Sequence, residues 1–194
     1  MKPIFEAAWE VHTYLRRRKI PYVFIGGLAV QKWGQPRFTK DVDLTVSVPV
    51  ETTEEFIESI AKHFKGRVSN LLEFARQTRV VPLYASNGRD VDVSLALPGY
   101  EDLLMQRAKP FKLAPRRTVR VCSAEDLIIH KAVAGRPQDL MDLENVVFRQ
   151  SGALDKDYIE NCLKEFGLLL ESDEVLKRFR SVWNKWEAQQ RGLN

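Results

Sequence analysis

Cysteine and histidine are scarce in this 194-residue sequence, which contains two cysteines and three histidines. Cys122 and Cys162 lie far apart and belong to no CxxC pattern, so these residue types cannot assemble a zinc site. We expect both cysteines to be buried free thiols in a reducing cytoplasm. The lack of paired histidines of the His-Asp type also disfavours a metal-dependent phosphohydrolase.

Long apolar runs and the common phosphate-binding loops are absent as well. No run approaches the roughly 18 residues of a transmembrane helix, and residues 1–19 are amphipathic without an apolar signal core. We therefore expect no membrane association, no cleaved signal peptide and a cytoplasmic location. Neither GxxxxGK(S/T) nor GxGxxG occurs, which excludes a P-loop and a Rossmann dinucleotide site.

Two halves of the chain differ in their pattern. Strand and helix patterns are mixed over residues 1–122, whereas residues 123–194 are helical. Hydrophobic residues make up 44% of the chain, enough for a core. We predict an α+β fold, with a mixed β-sheet flanked by helices in residues 1–122 and a C-terminal helical region, residues 123–194, packed on it. The net charge of +4 permits contact with a nucleotide or RNA without requiring it.

Apolar periodicity places the individual elements. Helices are expected over residues 4–18, 28–33, 51–64 and 100–108. Strands are expected over residues 22–25, 42–48, 80–84 and 91–97, with a further short edge strand over 118–122. The Asn87-Gly88 pair predicts a hairpin between the third and fourth strands. Ser123 is the expected N-cap of the helical region, in which breaks are expected near Pro137, Gly152 and Gly167.

Asp41 and Asp43 interrupt an apolar run, VDLTVSV, shortly after the glycine pair Gly26-Gly27. Because side chains alternate along a strand, both carboxylates should lie on one face and Val42 on the other. Two neighbouring anions on a half-buried face require a positive partner. A divalent cation is the simplest partner, since Mg²⁺ is held by carboxylates, waters and substrate phosphates. The alternative is an ordinary turn-capping Asp beside one on an exposed strand face.

A second pair of acids, Asp90 and Asp92, follows in RDVDVSLAL. Asp92 lies inside the apolar run and is the better third carboxylate, as a second-metal ligand or as a general base towards a hydroxyl. Asp90 lies nearer the hairpin turn, where an aspartate is ordinary.

The glycine pair ends a buried strand and begins a helix. Without Cβ atoms the backbone at Gly26 and Gly27 can approach phosphates, and helix N-terminal amides favour anions. A tight turn without a ligand explains the pair equally well.

Basic residues near these motifs are candidates for balancing phosphate charge. Arg37 lies in the loop before the acidic pair, where a cation can face carboxylates or a triphosphate. Lys131 lies among apolar helical neighbours, so it needs a partner or must reach solvent. Asp139 and Asp142 share a helix face and are expected to orient Lys131 or Arg136 rather than to bind metal.

Two stretches resemble known motifs. The run IGGLAVQKWGQPRFTKDVDL is similar to the signature of the DNA polymerase β-like nucleotidyltransferase superfamily. The later run SAEDLIIHKAVAGRPQDLMDLENVV resembles the downstream motif of the AbiEii-type subgroup, which includes toxins of bacterial toxin–antitoxin systems. The likeness extends over residues 20–147.

The resemblance implies a nucleotidyltransferase fold and an enzyme that moves a nucleotide monophosphate from a nucleoside triphosphate, such as ATP, to a hydroxyl. It implies Asp41, Asp43 and Asp92 as catalytic residues and ligands of Mg²⁺, with Mn²⁺ as the alternative. It also implies a set of nucleotide-binding residues: Gly26, Gly27, Arg37, Lys131, Arg136 and Asp139.

The acceptor stays open at this stage. RNA, particularly a tRNA 3′ end, is favoured over a protein hydroxyl and a small molecule such as an aminoglycoside. A cognate antitoxin or toxin protein is the further partner that the resemblance implies. Many active relatives carry serine where this chain has Gly27, so the alternative function is a non-catalytic, antitoxin-like module that binds a nucleotide or a partner.

Overall fold

Seven strands form one mixed sheet in the computed structural model, which describes residues 2–192. The strands are β1 (Tyr22–Phe24), β2 (Asp41–Val46), β3 (Lys65–Gly66), β4 (Val80–Tyr84), β5 (Asp90–Leu95), β6 (Lys109–Ala114) and β7 (Arg117–Val121). Within the described residues, nine α-helices accompany them: α1 (Pro3–Arg17), α2 (Gly26–Trp33), α3 (Thr53–Ala61), α4 (Leu71–Thr78), α5 (Tyr100–Arg107), α6 (Ala124–Ala134), α7 (Pro137–Gln150), α8 (Lys156–Leu169) and α9 (Glu174–Gly192).

The strand order across the sheet is β3-β4-β5-β2-β1-β7-β6. Strands β2 and β5 run parallel, as do β1 and β7, and the other neighbours are antiparallel. The expected hairpin between β4 and β5 is present. The α+β class and the mixed sheet predicted from the sequence are therefore confirmed.

The described chain divides into two compact units. The first comprises the chain up to Leu28 together with Phe38–Cys122, and the second comprises Ala29–Arg37 together with the chain from Ser123 onward. In the first unit α1 packs against β2 and β7. It does so because the apolar residues of its sequence recur at helical spacing and form one buried face: Ile4, Ala7, Ala8, Val11 and Leu15.

The second unit is built around α6, which contacts α7, α8 and α9. Ser123 caps α6 as expected, because its hydroxyl accepts a hydrogen bond from the Asp126 backbone N–H at 3.1 Å. Gly135 ends the helix in the left-handed region at φ +61°, and Pro137 begins α7. Both expected free cysteines are buried.

Several expected elements differ from the observed ones. Strand β7 is not at the edge of the sheet, since β6 covers its outer side. The sequence pattern also overlooked β3, β6 and α4. The two residues of β3 are too few to show periodicity, and β6 carries lysine and proline, as edge strands do. Gly167 causes no break, because α8 runs through it to Leu169.

The described part of the chain has no helix with the length and hydropathy that crossing a bilayer requires.

Candidate active site

Four acids face one another across two neighbouring parallel strands. The register of β2 and β5 pairs Asp41 with Asp90 and Asp43 with Asp92. The alternate residues of both strands point to the opposite face and are fully buried: Val42, Leu44, Val91 and Val93. Both acidic pairs thus lie on one sheet face because the apolar alternation of each strand fixes the orientation of its side chains.

Three of these acids form a compact group. Asp41, Asp43 and Asp92 are each half-buried, and one carboxylate oxygen of each lies within 4.8 Å of the other two. Hard oxygen donors are the ligands that Mg²⁺ and Mn²⁺ take. At ligand distances of about 2.0–2.1 Å, two oxygens on one Mg²⁺ lie at most about 4.2 Å apart, so small side-chain rotations bring this donor set around one ion. The residues present therefore fit a divalent cation.

Asp90 lies outside this group, with 43% of its side chain exposed. Asp92, and not Asp90, lies in the group with Asp41 and Asp43; its role as the third catalytic carboxylate stays a prediction.

Arg67 is the cation beside the acids. It follows β3 directly, and its backbone N–H donates to the carbonyl of Pro82 in β4 at 2.9 Å. Its guanidinium donates to Asp92 and, at 3.4 Å, to Asp90. The sequence offered no signal for this residue, because its approach depends on the short strand β3.

Gly26 lies against Asp43 in a conformation that favours glycine. Its φ is +55°, and a Cβ built on it would lie 2.8 Å from Asp43 Cγ. The preceding residue, Ile25, donates its backbone N–H to the Asp43 carbonyl at 2.9 Å. The turn therefore needs glycine here because the backbone passes close to an acidic side chain.

Gly27 is in close contact with Thr39. A Cβ on Gly27 would lie 2.7 Å from Thr39 Cβ and closer still to its Oγ1. Thr39 is buried, and its hydroxyl donates to Asp41 Oδ1 at 3.1 Å. A hydroxyl thus occupies the space that a serine side chain at position 27 would need. Thr39 had no role in the sequence-based expectation, although it lies two residues before Asp41.

A second charged cluster lies in the second unit. Lys131 is 8% exposed at its side chain, and its Nζ lies 2.7 Å from Asp139 Oδ1 and 2.9 Å from Asp142 Oδ2. Arg136 donates Nε to Asp139 at 2.6 Å. Arg37 pairs with Asp142 through Nε at 2.8 Å and Nη2 at 2.7 Å. The two aspartates therefore contact Lys131 and Arg136, which they were expected to orient, and Asp142 also contacts Arg37, which the sequence did not predict. Lys131 does not extend to solvent.

Ionisation of the two aspartates follows from these contacts. Burial of Asp139 opposes its ionisation, but hydrogen bonds from Arg136 and Lys131 outweigh it and lower the pKa of the carboxyl. Burial of Asp142 is likewise outweighed by hydrogen bonds from Arg37 and Lys131, so its pKa is also lowered. Neighbouring His130 is half-buried, and burial lowers its pKa to about 4.

The family follows from a match over most of the chain. Residues 15–168 match the model of the nucleotidyl transferase AbiEii toxins of type IV toxin–antitoxin systems. The chain belongs to the AbiEii family. It is therefore a nucleotidyltransferase of the superfamily that its glycine turn and acidic strand indicated. A comparison with curated protein sequences finds no match.

Solved structures with the same fold include antibiotic-modifying enzymes. ANT(2″)-Ia in complex with adenylyl-2″-tobramycin is 19% identical, with a TM-score of 0.55, over 84% of this AbiEii-family chain and 95% of that chain. An antigenic nucleotidyltransferase-like protein from Paracoccidioides brasiliensis is 19% identical, with a TM-score of 0.52, over 91% of this chain and 94% of that protein. The lincosamide antibiotic adenylyltransferase LnuA is 13% identical, with a TM-score of 0.51, over 73% of this chain and 94% of LnuA. At these identities the likeness shows the nucleotidyltransferase fold.

The residues predicted for the site fall into two groups. The first unit contains the three acids and the glycine turn: Asp41, Asp43, Asp92, Gly26 and Gly27. The second unit of this AbiEii-family chain contains the charged cluster: Arg37, Lys131, Arg136 and Asp139. Arg67 and Thr39 are the site residues that the sequence did not reveal.

Proposed function

We propose that this AbiEii-family enzyme catalyses metal-dependent transfer of a nucleotide monophosphate from a nucleoside triphosphate to a hydroxyl of RNA, with a tRNA 3′ end as the favoured acceptor. The observation that supports it is the group of three strand-borne carboxylates within 4.8 Å of one another beside a glycine turn. The reaction would take place in the cytoplasm, where nucleoside triphosphates and tRNA are abundant.

In the proposed reaction Asp41, Asp43 and Asp92 hold Mg²⁺, with Mn²⁺ as the alternative. When bound, the cation neutralises phosphate charge and favours in-line attack. Asp92 accepts the proton of the acceptor hydroxyl. A bond forms between the acceptor oxygen and the α-phosphorus, and the bond to pyrophosphate breaks. The N–H groups of the Gly26-Gly27 turn, where α2 begins, bind phosphate oxygens.

The second-unit cluster supports a role in nucleotide binding through its charge. It brings three cations, Arg37, Lys131 and Arg136, together around two carboxylates. The Arg136 side chain is 77% exposed and accessible to a phosphate. Nucleotide-binding roles for Arg37, Lys131, Arg136 and Asp139 stay predictions, and Lys131→Met with NTP affinity as the readout tests the central one.

The choice of RNA as the acceptor is supported by the family and by the net charge of the chain. Family members are toxins, and the chain carries a net charge of +4, which suits a polyanionic acceptor. The adenylylated tobramycin bound to ANT(2″)-Ia makes an aminoglycoside the small-molecule alternative. A cognate antitoxin is the protein partner we propose.

One experiment separates these possibilities. The purified protein is incubated with each labelled NTP and Mg²⁺, and then with total tRNA, total protein or tobramycin. We expect label on tRNA that requires Mg²⁺ and disappears with EDTA, with Asp41→Asn and with Asp43→Asn. Transfer that persists in both variants contradicts the proposal. Tight NTP binding by the wild type without transfer to any acceptor supports the non-catalytic, antitoxin-like alternative.

A further inference from the structure

A pocket opens beside the acids on the side of β4 and α4. Its volume is about 600 Å³, within the range of about 300–1,000 Å³ that small-molecule sites occupy. Residues that line it include Asp43, Asp92, Arg67, Phe74, Tyr84 and Ser94. All belong to the first unit. Among the described residues that line this pocket, none is assigned to nucleotide binding. The proposed reaction therefore leaves the pocket free for a second ligand.

The lining combines aromatic rings with one guanidinium and the carboxylates of Asp43 and Asp92. Phe74 is half-buried, and Tyr84 is 38% exposed, so ring surface is available for stacking by a flat ligand. Arg67 is the one cationic residue in the described lining. This combination is the one that single-stranded nucleic acid sites use, where bases stack on aromatic rings and a guanidinium pairs with phosphate.

The guanidinium of Arg67 has one hydrogen-bond donor without an acceptor among the described residues. Its two terminal nitrogens pair with Asp90 and Asp92. Its Nε is buried and lacks a hydrogen-bond acceptor among the described residues. A buried N–H without an acceptor is unfavourable, so the guanidinium gains if it turns towards an oxyanion in the pocket. Its present position is held by the acids, and any cation that those acids bind competes with Arg67 for Asp92.

We propose that this pocket binds the acceptor and that Arg67 selects an acceptor with a phosphate close to its hydroxyl, namely the terminal nucleotide of an RNA chain. The inference rests on the proposed transfer reaction, because the acceptor hydroxyl must reach Asp92. The base of the terminal nucleotide stacks on Tyr84 or Phe74, and its 5′-phosphodiester pairs with Arg67. A protein hydroxyl and an aminoglycoside hydroxyl both lack the neighbouring phosphate that would pair with Arg67.

Direct binding of small probes tests the site without any catalysis. The probes are the dinucleotide CpA, which mimics an RNA 3′ end, adenosine, which has the ring without the phosphate, and free AMP. Each is titrated calorimetrically into the wild type with Mg²⁺ and without NTP, so that the cation can occupy the acids and no transfer takes place. CpA should bind more tightly than adenosine and at least as tightly as AMP. Tighter binding of AMP than of CpA would overturn the RNA assignment.

Arginine variants locate the phosphate contact. Arg67→Gln should weaken CpA binding by about tenfold, the loss of one charge-assisted contact, and change adenosine binding by less than about threefold. Arg67→Lys should recover part of the loss, since it keeps the charge. Arg76→Gln is the matched control, because Arg76 is 52% exposed in α4, pairs with Glu54 and does not line the pocket. Equal losses in the Arg67 and Arg76 variants, or none, would overturn the proposal.

Steady-state kinetics with RNA then separates this inference from the transfer reaction. With NTP saturating, Arg67→Gln and Tyr84→Ala should raise KM for the RNA acceptor and leave KM for NTP unchanged. If both variants transfer the nucleotide with an unaltered KM for the RNA acceptor, the acceptor pocket is rejected and the transfer reaction is retained. Arg67-dependent CpA binding in a wild type that transfers nothing rejects the proposed reaction and retains the pocket.

Discussion

The two units each contain a cluster of charged side chains, and the clusters differ in charge balance. In the first unit four carboxylates lie on one sheet face, and the guanidinium of Arg67 pairs with two of them, Asp90 and Asp92. The second sets two carboxylates against three cations. Burial differs too: the Asp92 side chain is 32% exposed, whereas Asp139 and Asp142 are 3% and 2% exposed.

The difference shows how a ligand site can be told from an internal ion-pair network. Buried charges persist when partners surround them, as Lys131 does for Asp139 and Asp142. Half-exposed acids that outnumber their cations keep their repulsion and part of their hydration, and they gain when a cation binds. We therefore expect substitutions in the first cluster to affect activity with little loss of stability, and substitutions in the second to lower stability as well as NTP affinity.

The largest effect should come from Asp92→Asn. Removal of the carboxylate that accepts the hydroxyl proton should lower transfer by about 10²- to 10⁴-fold, with little change in the free energy of unfolding. Asp90→Asn is the matched control, since Asp90 also pairs with Arg67 but lies outside the three-acid group. Its transfer rate should fall less than tenfold. Equal losses in the two variants would mean that the group of three does not define the site.

Asp142→Ala should have the largest effect on stability. It leaves Lys131 and Arg37 without the carboxylate that both contact, and removal of one partner of a buried ion pair costs about 3–5 kcal/mol. Urea unfolding measures this loss directly. Asp43→Asn should change the free energy of unfolding by less than about 1 kcal/mol. If both variants were equally destabilised, the contrast between the clusters would be lost.

The sequence was sufficient for features that one strand or one turn determines. Asp41 and Asp43 share a sheet face because of local alternation, and the same holds for Asp90 and Asp92. The parallel pairing of β2 with β5 then places the two acidic pairs side by side. The helices with strong apolar periodicity, such as α1, were predicted within one or two residues.

Features that depend on distant segments could not be predicted. Arg67 reaches Asp92 only because the two-residue strand β3 pairs with β4. Thr39 limits position 27 through a contact across a turn. The sequence predicted that Asp139 and Asp142 orient Lys131 or Arg136, but the contact of Lys131 with both carboxylates depends on how α7 packs on α6.

Gly27→Ser tests whether the glycine turn beside the first cluster tolerates a serine side chain. A Cβ there collides with Thr39, so the variant should lose about 1–3 kcal/mol of stability. Thr39→Ala removes the nearest atom, so the double variant should lose less than the sum of the two single variants. Thermal unfolding of the four proteins gives this coupling. Strict additivity would show that Thr39 and Gly27 do not compete for the same space.

The smallest effect should be a difference in acid stability that belongs to the second cluster. Unfolded aspartate has a pKa near 3.9, and the pKa values of Asp139 and Asp142 in the fold are lower. Above about pH 5 both are ionised in both states, and their ion pairs stabilise the fold fully. Below it the unfolded chain binds protons first, so stability falls until the pH passes the pKa of the folded form.

Asp139→Asn should therefore be less stable than the wild type at pH 7, but its stability should fall less steeply below pH 4, because one carboxyl with a lowered pKa is gone. Urea unfolding at pH 7, 4 and 3 measures both quantities. Subtracting the free energy of unfolding of the variant from that of the wild type at each pH cancels the contribution of the other titrating groups. Parallel pH profiles would show that the Asp139 ion pairs do not contribute to stability, and the distinction between the clusters would then rest on Asp142 alone.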